Sequence, residues 1–250
     1  MWKGFPPAVF RRVGAPAVSV SGCPTACRVA CVHAEAEEDA KKTAAEGTAE
    51  EIGLGFAELL ALLALHGGPS AQATAELLGI IDYADIPEVL SSGASALVAR
   101  RFADVGSTGE LLVEGPVAGI AAALGGAERR MDLTLESSEW SDRIILLEAP
   151  GIAILLRPRA YGTWWALPQR ADLAPTEATF QLIAGHLGEH PDGRVLVERH
   201  GVGQGYALSV RRAHDGGWLL GVKMPDSADI AEDPGDDVVL LTALRAVRND

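Results

Sequence analysis

Arg143-Ile144-Ile145-Leu146-Leu147-Glu148 and Ile152-Ala153-Ile154-Leu155-Leu156-Arg157 are two short apolar runs with only Ala149-Pro150-Gly151 between them. Runs this short, bounded by turn residues and rich in Ile and Leu, suit buried strands better than helices. Proline presets φ near −65° and glycine accepts φ > 0, so Pro-Gly favours a tight type II turn. The two runs are therefore expected to pair as an antiparallel hairpin, which makes a sheet of sequential strands the centre of the fold.

Working outward, Met131 to Glu136 alternates apolar and polar residues as a strand should, and Gly162 to Leu167 continues the sheet on the other side. Beyond it, Pro175 to Leu187 reads as a helix stopped at Gly188. Arg194 to Arg199, Tyr206 to Arg212 and Trp218 to Lys223 read as further strands, the last two joined by a turn at Asp215-Gly216-Gly217. Val238 to Val247 closes the chain as a helix.

Upstream the period changes from 2 to 3.6. Leu54 to Leu65 is an amphipathic helix ended by His66-Gly67-Gly68-Pro69, where glycine tolerates the left-handed cap and proline forbids continuation. Ala71 to Leu78, a segment beginning after Asp85 with Pro87 in its first turn, and Ser95 to Val105 are read as three more helices. Gly109 to Val113 is read as a strand, and Pro116 to Leu124 as a helix of small residues ending at Gly125-Gly126.

The expected architecture is α+β: a mostly antiparallel sheet in two similar halves, about residues 116–167 and 175–223, with helices packed on it and a small helical cluster ahead of it. Each half has one helix followed by meandering strands. The likeness is one of element order, without residue identity.

Residues 1–50 are a different kind of sequence. They mix Pro, Gly, Ala and Ser with a polar stretch of Ala, Glu, Lys and Thr, and show no sustained period. They are read as a flexible arm, disordered or preceding the true start, outside a single domain at 51–250. Val20-Ser21-Gly22-Cys23 has the form of a lipoprotein cleavage site, although Val13 to Val20 is short for the apolar part of a signal. Cys23, Cys27 and Cys31 with His33 offer soft ligands for a metal, but not in a CxxC pairing.

Charge narrows the function. Of a net −13, the first fifty residues contribute nothing, leaving 15 basic against 28 acidic residues in the remainder. That body repels phosphate backbones, and its Arg100-Arg101, Arg129-Arg130 and Arg211-Arg212 are pairs rather than stripes, so no nucleic acid is expected. No apolar run reaches the roughly 18 residues of a membrane span. All three cysteines lie in the arm, so no disulfide framework holds the body, and a reducing, cytoplasmic location is expected.

Catalytic patterns are missing from the sequence: it has no G-x-S-x-G, no H-E-x-x-H and no P-loop. His200-Gly201-Val202-Gly203-Gln204-Gly205 is glycine-rich but leads into a strand rather than a helix, which suits a turn better than a phosphate cradle. His186 and His190 are four apart, with Gly188 and Pro191 expected to break the helix that would align them. His214-Asp215 sits at a hairpin tip, where turn chemistry accounts for the Asp. No catalytic residue, metal or cofactor is expected.

Trp164-Trp165 is the candidate partner-binding pair. In a strand the two rings point to opposite faces, so one enters the core and the other meets a partner, a covering helix or solvent.

Leu97-Val98-Ala99-Arg100-Arg101-Phe102, Gly109-Glu110-Leu111 and Val117-Ala118-Gly119-Ile120, with the helix-then-strands order after them, resemble the EspG family of ESX (type VII) secretion-associated proteins over about residues 54–248. The resemblance implies a quasi-two-fold α+β fold and a cytosolic, non-enzymatic chaperone or adaptor whose partner is a small helical secreted protein. It supplies no counterpart for residues 1–50 and no binding residue. Two other readings stand beside it: a winged-helix DNA-associated regulator, from the helices between Pro87 and Val105 followed by the Gly109 to Val113 strand, and an enzyme with an unrecognised site.

Overall fold

The computed structural model describes residues 51–170, 172–201, 207–224 and 230–249. The expectations for the arm, for Cys23, Cys27, Cys31 and His33, and for most of the loop after Gly201 lie outside these residues.

The fold is α+β, built on one nine-stranded antiparallel sheet. Its strands are β1 (Ile52–Gly55), β4 (Arg129–Glu136), β5 (Ser141–Ala149), β6 (Ile152–Arg159), β7 (Thr163–Pro168), β8 (Arg194–His200), β9 (Ala207–Arg212), β10 (Trp218–Lys223) and β11 (Glu232–Gly235). Their spatial order is β1-β7-β6-β5-β4-β8-β9-β10-β11. A separate hairpin joins β2 (Ala103–Val105) to β3 (Leu111–Val113). The helices are α1 (Phe56–His66), α2 (Gly68–Leu77), α3 (Pro87–Ala99), α4 (Gly115–Gly126), α5 (Pro175–Glu189) and α6 (Asp237–Arg248).

From β4 the meander β5-β6-β7 runs to one side, where β1 closes it, and β8-β9-β10-β11 runs in chain order to the other. Helices α1 to α4 lie over one face of the sheet and α5 and α6 over the other. Register places Ile145 opposite Leu156 and Leu156 opposite Ala166, so these side chains share a face. That face is buried under α1 to α4, with Leu59, Leu62, Ile120 and Leu124 in the same cluster. The neighbouring residues Ile144 and Leu146 point the other way and join Met131, Leu133, Val195, Val197, Val210 and Trp218 beneath α5 and α6. Strand β5 thus contributes alternate side chains to two cores.

The central hairpin forms as expected, with Leu146 opposite Leu155 and Gly151 at φ 77° in the turn. Several expectations need correction. The helix expected from Leu54 begins at Phe56, because Ile52 to Gly55 is drawn into the sheet beside β7. No separate helix runs from Ser95 to Val105: α3 continues through Gly93 to Ala99 and the chain then turns into β2. Gly93 sits inside α3 at its contact point with α1, where a Cβ would run into the Ala57 carbonyl. Gly188 likewise lies inside α5 rather than ending it. β11, with sequence Glu-Asp-Pro-Gly, carried no strand signal; Pro234 is tolerated there because β11 is an edge. Among the described residues, no helix is long and apolar enough to cross a membrane.

A candidate binding groove beside the edge strand

β1 is an outer strand, so among the described residues one side of its backbone has no strand neighbour. Such an edge invites pairing with another chain unless it is blocked. Here Glu58 and Arg100 block it. Gly55, the N-cap of α1, donates its N–H to Glu58 Oε2 at 2.6 Å, the N3-to-N-cap arm of a capping box. Arg100, at the end of α3, donates to the Gly53 carbonyl at 2.8 Å and to both Glu58 oxygens at 3.0 and 2.7 Å.

Along this edge runs a groove of about 660 Å³. It is lined by the residues of β1, by Arg100, Arg101 and Phe102, by Glu114, Pro116 and Val117, and by Thr163 and Trp165 of β7. The two tryptophans separate as β alternation requires. Trp164 is 7% exposed and belongs to the core under the helices, whereas Trp165 is 39% exposed and faces the other way. Its ring lies against Gly53, where a Cβ would stand 3.7 Å from three ring atoms. The Arg100 guanidinium stacks 4.3 Å from the centre of the Phe102 ring.

Sequence reasoning missed two neighbours of this groove. Arg101 has φ 61° at the position just past α3, where Phe102 N–H reaches back to Leu97 and Arg101 N–H to Val98 in a Schellman arrangement. Tyr161, in the turn that leads into Thr163, also has φ 61° and is fully exposed. The sequence signal for Arg101 was a helix end without the usual glycine, hidden when the helix was read through it.

The other candidates have structural duties. Asp132 anchors a polar patch on β4: Arg143 Nε lies 3.0 and 2.9 Å from its two oxygens, and His200 Nε2 lies 3.5 Å from Oδ2. Burial alone would raise the Asp132 pKa, but the hydrogen bonds from His200 and Arg143 and their charges outweigh it, so the carboxyl is held below its ordinary value. It borders a concavity of about 360 Å³ with Thr134, Glu198 and Lys223. A carboxylate held charged by an arginine is tuned away from proton transfer near neutral pH. Desolvation lowers the pKa of Arg130, whose guanidinium ties β4 to Ser70 and Thr74 of α2.

His186 and His190 do approach, with ring centres 5.0 Å apart and Trp140 packed edge-on against both. His186 Nε2 is within 3.0 Å of the Glu136 carbonyl, and among the described residues no group of three potential metal ligands forms. Asp215 accepts from Gly217 N–H, the turn role expected of it. α3 followed by the β2–β3 hairpin has the order of a helix and wing, yet the exposed residues along α3 are Pro87, Glu88, Ser91, Ser92, Ser95 and Ala99, with Asp82 and Asp85 just before them and only Arg100 and Arg101 just after, Arg100 being paired with Glu58. That face offers phosphate little attraction.

The chain matches no family model and no curated protein.

Proposed function

We propose that the protein is a non-catalytic binding protein, a chaperone or adaptor of the kind the EspG-like resemblance implies for type VII secretion substrates, and that its partner docks in the groove beside β1. The exposed face of Trp165 carries this reading. A large indole left half in water at the rim of an apolar groove gains from being covered, and tryptophan is among the residues that dominate binding energy at protein interfaces. The polar cluster at Asp132 lends less support to an enzyme, because its charges are spent on holding β4, β5 and β8 together.

The test is co-purification of the tagged full chain from its native host beside a Trp165→Ala variant. A small helical secreted protein should accompany the wild type and be lost from the variant, with affinity falling by about tenfold or more. Recovery of no such protein overturns the chaperone reading, and undiminished binding by the variant removes the groove from it.

A further inference from the structure

We infer that the groove recognises a single carboxylate placed beside an apolar side chain on the partner protein, with Arg101 as its receptor; this deepens the reading above and rests on it. Among the described residues the non-glycine residues with positive φ are Arg101, Tyr161 and Asn249. Asn249 ends α6, where asparagine is an ordinary left-handed cap. Arg101 stands at a left-handed cap after α3 and Tyr161 in the turn before β7, but neither is glycine or asparagine, and a glycine at either place would relieve the backbone without loss of a buried contact. Both side chains are exposed. One lines the groove and the other lies in the turn that leads to its Thr163 end. Strain kept where it brings the fold no packing points to use of the side chain itself.

The types of side chain involved then define the ligand. Arg101 makes no ion pair among the described residues, in contrast to Arg100, which is held by Glu58. Tyr161, Trp165 and Arg101 are the residue types that concentrate binding energy at protein interfaces. Glu51 and Glu114 also line the groove, so a run of acidic residues would be repelled. One carboxylate on Arg101 with an apolar group against Trp165 and Phe102 satisfies both conditions. An added strand is a poorer occupant, because the Gly53 carbonyl and Gly55 N–H are already bonded by Arg100 and Glu58.

Selection of a random-peptide phage library on the full chain tests this, with the selected peptides measured against Arg101→Gly, Arg101→Lys and Trp165→Ala. Asp or Glu should be enriched within a few residues of an aromatic or aliphatic one. Arg101→Gly should bind at least about tenfold more weakly, Arg101→Lys should retain part of the affinity, and the melting temperature of Arg101→Gly should equal or exceed that of the wild type. Peptides without a carboxylate, equal affinity for Arg101→Gly, release of the peptides by inorganic phosphate alone, or no enrichment at all would each overturn it. Carboxylate-free peptides that still depend on Trp165 would remove Arg101 as receptor while leaving the groove as a protein-binding site.

Discussion

Glu58 and Arg100 are bound to each other and each to one glycine of β1, so a single ion pair both ties the end of α3 to the sheet and occupies the backbone of an outer strand. The two partners are unequally placed: the Glu58 side chain is 6% exposed, whereas the Arg100 side chain is 42% exposed.

That inequality sets the order of two variants. Arg100→Ala leaves a buried carboxylate with only the Gly55 N–H and should cost about 2–3 kcal/mol. Glu58→Gln leaves an arginine that water can reach and should cost about 1 kcal/mol. Urea unfolding checks the order, and size-exclusion chromatography checks a second expectation, that Arg100→Ala self-associates through the freed edge. Equal losses, or a larger one for Glu58→Gln, would contradict the geometry.

Two glycines within helices should respond oppositely to alanine. At Gly93 the added methyl meets the Ala57 carbonyl and must push α1 from α3, for a loss of about 2–3 kcal/mol. At Gly185, inside α5, a Cβ has open space, so Gly185→Ala should gain about 0.5–1 kcal/mol from the stiffer unfolded chain. Thermal melts of both variants would show it.

Acid should weaken the fold partly through Asp132. Its folded pKa lies below the unfolded value of about 3.9, so its contribution is complete above that value and disappears as pH falls toward the folded pKa. Asp132→Asn should therefore be less stable than the wild type by about 1–3 kcal/mol near pH 7, with the gap narrowing below about pH 4. A gap unchanged down to pH 3 would mean that the Arg143 contact contributes nothing through charge.

The central hairpin was legible because its strands are long, apolar and joined by Pro-Gly, and α6 because its apolar residues recur at helical spacing. β1 was not legible: four residues hold only Ile52 and Leu54 as an alternating signal, and what makes them a strand is β7, more than a hundred residues later. The helix expected to start anew at Ser95 was misplaced for a related reason, since Gly93 just before it serves a contact between two helices that local sequence does not reveal. Of the site, the opposite facing of Trp164 and Trp165 followed from strand geometry alone. Arg101 and Tyr161 did not, because left-handed backbone at a non-glycine residue is imposed by the elements that meet around it.

The sharing of β5 between two cores also bears on how the chain reaches its fold. The first core is drawn from residues 52–166 alone, but the second cannot be completed that way, because β4 and β5 precede residue 150 and most of its other members come after residue 174. The pairing of β4 with β8, which joins Leu135 to Val195 across some sixty residues, has to be made before Leu133 and Val197 lose their water. A barrier dominated by such distant closures makes for slow, all-or-none folding. Until β8 arrives, Met131, Leu133, Ile144 and Leu146 stand open on one side of a nascent hairpin, so the newly made chain is most prone to aggregate before its last third has been synthesised.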